Sequence, residues 1–277
     1  MKIKTRIFYS LSAIITLLLF YSYLESRWLK VTEHVITSRD VPVSFNGTRI
    51  VFVSDIHHGP YFARSRVADM VERINRLHPD LIILGGDYVH RSSNYILPLF
   101  DELRKLQAPL GIYAVLGNHD YWADARLTRE MMVRNGINTC ENKSYWIKRG
   151  DSRIKVGGVG DWWESTQNLA AITEDVKEPD FCILISHNPE YPGEIKTELV
   201  DLTFSGHTHG GQVTLFGLWA PLVPSQYGQK YRYGLVTSGK MKSYISSGVG
   251  TITPPVRFFC RPEIVVITLQ NGPASAQ

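Results

Sequence analysis

Five of the nine histidines in this 277-residue chain stand at or just past the end of a short apolar run: His57, His119, His187, His207 and His209. Asp55, Asp87 and Asn118 occupy equivalent points after runs of β-branched and aliphatic residues. A lone histidine is ordinarily a surface or satisfied core residue. Eight such residues, all at run ends, form a pattern that scattered placement does not give. Carboxylate, amide and imidazole donors without thiolate suit Mn²⁺, Fe or Zn²⁺, and Mg²⁺ less well, since it favours oxygen.

The elements that must position them can be read from periodicity. Val31 to Thr37 reads as an entry strand, and Thr48 to Ser54 as a β-branched and aromatic strand ending at Asp55. Val67, Met70, Val71, Ile74 and Leu77 recur at helical spacing with charges between them, and Pro79 ends that helix. Leu81 to Leu84 is a strand stopping at Gly85-Gly86-Asp87. A second helix runs through Ile96, Leu99, Phe100, Leu103 and Leu106, and Ile112 to Leu116 is a strand stopping at Gly117-Asn118-His119. Asp55 to Asp87 spans 32 residues and Asp87 to Asn118 spans 31, the length of a βαβ unit. Ligands of open α/β sheets gather beyond the carboxyl ends of strands, so the three residues are expected on one rim.

The second half is richer in strands: Ser144 to Lys148, Arg153 to Val159, Phe181 to Ser186 ending at His187, and Leu202 to Ser205 ending at Gly206-His207. Val213 to Phe216, Lys242 to Ser246 and Glu263 to Leu269 follow. The expected fold is α/β, two stacked mixed sheets flanked by helices in four layers, with the site on one rim. Glycines at 85, 86, 117 and 206 precede the candidate ligands, where the chain must turn sharply. Gly157-Gly158-x-Gly160 lacks the spacing of a dinucleotide loop and reads as a strand end. Three scattered cysteines, Cys140, Cys182 and Cys260, argue against a disulfide framework or a structural zinc site.

Together, Asp55-x-His57, Gly86-Asp87, Gly117-Asn118-His119-Asp120, His187 and Gly206-His207-x-His209 resemble the calcineurin-like metallophosphoesterase superfamily, over about Ile50 to Leu269. The resemblance implies one metal held by Asp55, His57, Asp87 and His209, and a second by Asp87, Asn118, His187 and His207, with Asp87 bridging. It implies two divalent ions, Mn²⁺ foremost, that lower the pKa of a shared water for attack on a phosphodiester or pyrophosphate. His119 then contacts the phosphate and assists the leaving group. Asp120 either orients His119 or merely caps a helix.

A finer resemblance, to a bacterial membrane-associated branch, lies in Asp55-Ile56-His57-His58-Gly59, Ser186-His187-Asn188-Pro189, Ser205 to Gln212, Gly248-Val249-Gly250, Pro255-x-Arg257 and Arg261-Pro262-Glu263. Some members of that branch hydrolyse UDP-2,3-diacylglucosamine in lipid A synthesis, which implies a nucleotide-linked or phosphorylated lipid substrate. His58, Arg232, Arg257 and Arg261 are candidate substrate contacts, each with a structural or surface alternative. His34, His78 and His90 read as surface residues.

Two further features lean toward a lipid. Ile7 to Leu24 carries no charge over 18 residues and is long enough to cross a bilayer core. An uncleaved anchor over residues 1–30 is expected, ahead of a catalytic domain over 31–270 and a disordered tail over 271–277; a cleaved signal peptide is the alternative. That places the protein at the bacterial cytoplasmic membrane. Lys2, Lys4 and Arg6 before the segment outnumber Arg27 and Lys30 after it by one, which favours an exterior domain, whereas a UDP-lipid substrate favours an interior one. The second feature is the apolar stretch Leu215 to Pro224 after His209. It reads as an acyl-binding wall, an interfacial dip or core packing, and Trp162 and Trp163 have the same open readings. A net charge of +4 with no long basic run gives little support to a nucleic-acid partner, and oligomeric state is left open. The competing functions are a phosphodiesterase of other specificity, a nuclease of the same superfamily and a non-catalytic scaffold.

Overall fold

The computed structural model describes residues 3–273. Among the described residues, twelve strands form two six-stranded sheets. The first sheet runs in the order β1 (Lys30–Ser38), β12 (Glu263–Asn271), β2 (Arg49–Val53), β3 (Leu81–Leu84), β4 (Ile112–Ala114) and β5 (Asn138–Thr139). The second runs β10 (Gly234–Ser238), β11 (Met241–Ile245), β9 (Leu202–Ser205), β8 (Phe181–Ile185), β7 (Ser152–Gly158) and β6 (Lys143–Arg149). Both are mixed: β12 is antiparallel to β2, β10 to β11 and β6 to β7, while the central strands are parallel.

Alternation along the strands builds the layers. Ile50 and Phe52 of β2, with Leu81 and Ile83 of β3, turn inward against Ile154, Val156, Phe181, Ile183 and Phe204 of the second sheet. Val51, Val53, Ile82 and Leu84 turn outward beneath α2 (Arg64–Arg76), α3 (Ile96–Leu103) and α4 (Asn118–Arg134). Central strands buried on both faces are apolar at every position, which is why β3 and β8 lack polar alternation. The outer face of the second sheet is covered by a smaller cluster including Ile172 of α5 (Ala170–Thr173) and Tyr191 of α6 (Glu190–Glu194).

Ahead of these layers, α1 (Ile3–Glu25) projects from the domain. Its span Thr5–Glu25 has a mean hydropathy of 1.8 over its most apolar stretch, of which 6% is buried. At about 1.5 Å per residue it is long enough for a hydrocarbon core. Only its carboxyl end is docked: Glu25 is buried and accepts a hydrogen bond from Phe259 N at 2.7 Å, and Ser22 O accepts from Arg257 N at 3.3 Å.

The segment Val213 to Phe216, expected as a strand, is instead an open loop held by two isolated bridges, Val213 to Phe258 and Leu215 to Trp219. It is not core either, since Leu215, Phe216, Leu218, Trp219 and Leu222 are exposed. Asn271, expected to open a disordered tail, is instead paired in β12, and its side chain donates to Val41 O. Residues 274–277 of that tail, and Lys2 of the charge comparison, lie outside the described residues.

Candidate metal centre

Asp55 and His57 follow β2, Asp87 follows β3, Asn118 opens α4 after β4, His187 follows β8, and His207 and His209 follow β9. Both sheets therefore deliver ligands to the same rim, and all seven are buried. The chain bends hard to do this. Asp55, His57, Asp87, His207 and His209 have φ of 55°, 47°, 56°, 66° and 52°, the left-handed region that non-glycine residues seldom occupy. Close approach also fixes two glycines. A Cβ on Gly117 would collide with Asp87 Oδ1 and with the His187 ring, and one on Gly206 with Ser54 and Asp55.

Two groups, each with its donor atoms within 4.8 Å of one another, carry the carboxylates: Asp55, His57 and His209, and Asp87, His187 and His207; a third joins His57 to His90 and His119. Asp87 Oδ2 stands between them, 3.4 Å from His57 Nε2 and 3.4 Å from His187 Nε2. His209 Nε2 lies 3.4 Å from Asp55 Oδ1 and 3.1 Å from His57 Nε2. Outer contacts orient the set. His187 Nδ1–H donates to Gly85 O at 2.7 Å, which turns Nε2 toward Asp87 and the site. Asp87 Oδ1 accepts from His119 N at 2.9 Å, and Asp55 accepts from His207 N at 3.0 Å.

A divalent cation fits these residues on direct grounds. Asn118 Oδ1, His187 Nε2 and His207 Nε2 are buried without a hydrogen-bond partner among the described residues. Buried polar atoms are nearly always satisfied, so unpartnered polar atoms gathered on one rim point to a ligand. Two imidazole nitrogens 3.1 Å apart at His57 and His209 likewise need a proton or a cation between them. Burial holds His57 and His209 well below the ordinary imidazole range and lowers His207 to about 3, so all three are neutral, as metal ligation requires. Burial raises Asp55 to about 6. Burial alone would also raise Asp87, but His187, with His57, holds it well below the usual carboxylate range.

The His119 ring centroid lies 4.5 Å from that of His57, outside the groups built on Asp55 and Asp87, and His119 Nδ1 is buried without a hydrogen-bond partner among the described residues. Trp122 covers it at 4.7 Å, and on the opposite wall Trp163 stands edge-on to His207 at 4.4 Å. Trp122 Nε1 donates to Glu164 at 2.8 Å, which ties the two walls together. Trp162 turns away toward Tyr191.

Several expected contacts are corrected. Asp120 is fully enclosed, and its carboxylate accepts from Asp87 N, Tyr88 N and Gly117 N, each at 2.9 Å. It caps α4 and joins the turns after β3 and β4, so it acts on backbone rather than on the His119 ring. Arg257 has no exposed surface, and its guanidinium donates to the carbonyls of Ser247 at 2.6 Å, Gly250 at 2.7 Å and Cys260 at 3.0 Å. Arg232 donates to Gly210 O and Gly217 O, each at 2.8 Å. Both arginines hold loops together, with their guanidinium donors directed to backbone carbonyls. His58 is buried against Tyr95, with Nδ1–H donating to Phe62 O at 2.8 Å, so it too is structural. Arg261 lies over Trp28 at 4.1 Å, at the end of α1.

His90 is the residue that sequence reading missed. Expected on the surface, it stands 5.9 Å from the His57 ring and 5.7 Å from the His119 ring by centroid, with Nδ1 buried and unpartnered. A signal existed: His58 and His90 are each three residues past an aspartate ligand. The two chains stay paired beyond the sheet, with His90 N donating to His58 O at 3.0 Å.

With this geometry in hand, comparison with known proteins is direct. A family model for calcineurin-like phosphoesterases matches residues 48–211. The metallophosphoesterase YkuE of Bacillus subtilis is 32% identical over 256 residues, covering 90% of this chain and 88% of that protein. The phosphodiesterase YaeI of Escherichia coli is 29% identical over 252 residues, covering 89% and 90%. A transmembrane protein with a metallophosphoesterase domain from Danio rerio is 30% identical over 256 residues, covering 88% of this chain and 58% of that protein.

Proposed function

The chain belongs to the calcineurin-like phosphoesterase family, and from that premise we propose that it hydrolyses a phosphodiester or pyrophosphate bond in a lipid-linked substrate at the bacterial cytoplasmic membrane. The observation that carries the hydrolytic reading is Asp87 Oδ2 set 3.4 Å from one histidine of each donor group, a shared carboxylate between two cation positions. Asp55, His57, Asp87 and His209 would hold one divalent ion, and Asp87, Asn118, His187 and His207 the other, Mn²⁺ by preference. Bound there, the pair would supply an acidified water and charge neutralisation at phosphorus.

The chain's own residues do the rest. His119, beside the cluster and outside both groups, contacts the phosphoryl oxygen and donates to the leaving oxygen. Trp122 and Trp163 bound the mouth and limit water. The lipid reading is supported by α1, which serves as a single-pass anchor, and by the exposed apolar loop that follows His209. UDP-2,3-diacylglucosamine is the specific candidate. A second reading, a phosphodiesterase of other specificity at the envelope, is favoured by the name of the Escherichia coli relative.

The deciding experiment is a panel containing UDP-2,3-diacylglucosamine, other lipid pyrophosphates and bis-p-nitrophenyl phosphate, run with Mn²⁺ and with a chelator. Manganese-dependent cleavage of the lipid pyrophosphate in strong preference to the soluble ester is expected. Preference for the soluble diester would overturn the lipid reading, and inertness toward every substrate would revive a scaffold role. A carboxyl-terminal reporter fusion fixes the side of the membrane: a cytoplasmic signal agrees with a UDP-linked substrate.

A further inference from the structure

The exposed loop between Leu215 and Leu222 is unusual in being both apolar and stiff. Leu218 is 82% exposed and Leu222 76%, and Leu215, Phe216 and Trp219 are also open to solvent. Isolated apolar residues on a surface need no explanation, but five in eight positions form a patch that marks an interaction. Much of the backbone beneath them is already paired. Leu215 N donates to Trp219 O at 2.7 Å, Leu218 N to Leu215 O at 3.0 Å, and Gly217 N to Thr214 Oγ1 at 2.9 Å. Gln229 closes the far side, accepting from Ala220 N at 3.1 Å and donating to Ala220 O at 2.7 Å. A loop with paired amides can leave water without stranding its polar groups.

Its position points to the occupant. Phe216 packs on Phe259 at 5.3 Å, and Phe259 and Phe258 pack on Tyr21 of α1 at 5.7 and 5.4 Å. The patch is therefore continuous with the docked end of the apolar helix. The same level carries cations laid on aromatic rings: Arg27 over Tyr23 at 4.2 Å and Arg261 over Trp28 at 4.1 Å. Amphipathic aromatics beside arginine are what the boundary between headgroups and acyl chains selects. Arg232 then fixes the loop to the metal rim, since one guanidinium holds Gly217 O and Gly210 O, the latter beside His209.

We propose that the Leu215–Leu222 loop enters the interfacial layer of the bilayer that α1 crosses, so that the metal rim opens at the membrane surface. This rests on reading α1 as an anchor. The loop inserts beside the helix, and Arg232 sets the rim at a fixed height above the acyl chains. A substrate then reaches the site from the leaflet without leaving it.

The test uses the full chain in phosphatidylethanolamine/phosphatidylglycerol vesicles with a nitroxide at Leu218→Cys, and in a parallel sample at Val133→Cys on the exposed flank of α4. The expected result is that the label at 218 collides more with oxygen than with a water-soluble nickel chelate, and the label at 133 the reverse. Equal accessibility at the two sites in a chain that resists alkaline carbonate extraction overturns the insertion alone. Release of the chain by carbonate overturns the anchor reading and the insertion with it. Spin–spin broadening at 218 that disappears on dilution with unlabelled protein assigns the loop to a second copy and also overturns the proposal. As a functional arm, Leu218→Glu with Leu222→Glu should lose at least tenfold of the turnover of vesicle-embedded substrate and stay within twofold on bis-p-nitrophenyl phosphate. Equal loss on both substrates would count against it.

Discussion

The metal rim and the face formed by α1 with the Leu215–Leu222 loop break the same rule in opposite directions. At the rim, acceptors of Asn118, His187 and His207 are buried without partners. On the other face, large apolar side chains from Ile7 to Leu222 stand in the open. Each is unfavourable for a protein alone in water, and each would be relieved by a specific companion: cations in the first case and, on the anchoring proposed above, a bilayer in the second. The sign of the violation thus identifies the chemistry of the companion. Arg257 connects the two regions, with its guanidinium on the turn behind Asp55 and its backbone amide on the end of α1.

The strongest way to break this contrast is at its shared carboxylate. Asp87→Ala should lower metal-dependent turnover by roughly three orders of magnitude and abolish binding of at least one ion, read by bis-p-nitrophenyl phosphate kinetics and metal analysis of the purified protein. His119→Ala should lose about a hundredfold in kcat with metal content unchanged. Full activity in that variant would remove His119 from the mechanism.

Replacing Arg257 with methionine, Arg257→Met, should destabilise the domain by about 3 kcal/mol, because several buried carbonyls lose their donor. It should also loosen α1, so limited proteolysis after Glu25 and a fall in Tm report together. A fall in Tm with no change in proteolysis at that site would separate the two regions.

The smallest effect expected is in pH. In the chelated protein, His57, His207 and His209 have folded pKa values below the unfolded value near 6.5, that of His207 about 3. Their stability is present above 6.5 and is lost as pH falls, since the unfolded chain gains protons that the folded one refuses. Asp55, raised to about 6 by burial, works the other way between 6 and 3.8. So do Asp120 and Asp201, also raised by burial, and His187, which burial would lower but Asp87 holds well above the ordinary imidazole range. Burial lowers His58, His90 and His119 alongside the first three imidazoles. Tm of the chelated protein should therefore drop from pH 7 to pH 5, less steeply in His207→Gln. Manganese should raise Tm at pH 7.

Most of the rim was legible because each ligand ends a strand whose apolar run has a clear stop. What escaped did so for identifiable reasons. β5 is two half-buried residues long and exists only through pairing with β4. β10 is largely polar and half-exposed, so alternation is weak. α4 begins inside the Asn118 motif and is broken at Asp124, where φ is −174°, which disrupts its periodicity. Arg232 and Arg257 misled because a cation in a Pro/Gly-broken loop near a phosphate site looks like an anion contact. Only the fold reveals that carbonyls consume both. His90 was hidden because the pairing that carries it inward lies beyond the ends of β2 and β3.

The five left-handed ligand positions have one further consequence. Glycine would adopt φ near +55° at Asp55, His57, Asp87, His207 and His209 more easily than any residue found there. Folding alone would therefore be eased by glycine at each of these turns. The aspartates and histidines there strain the backbone, and what they supply in return is donor atoms aimed at the rim.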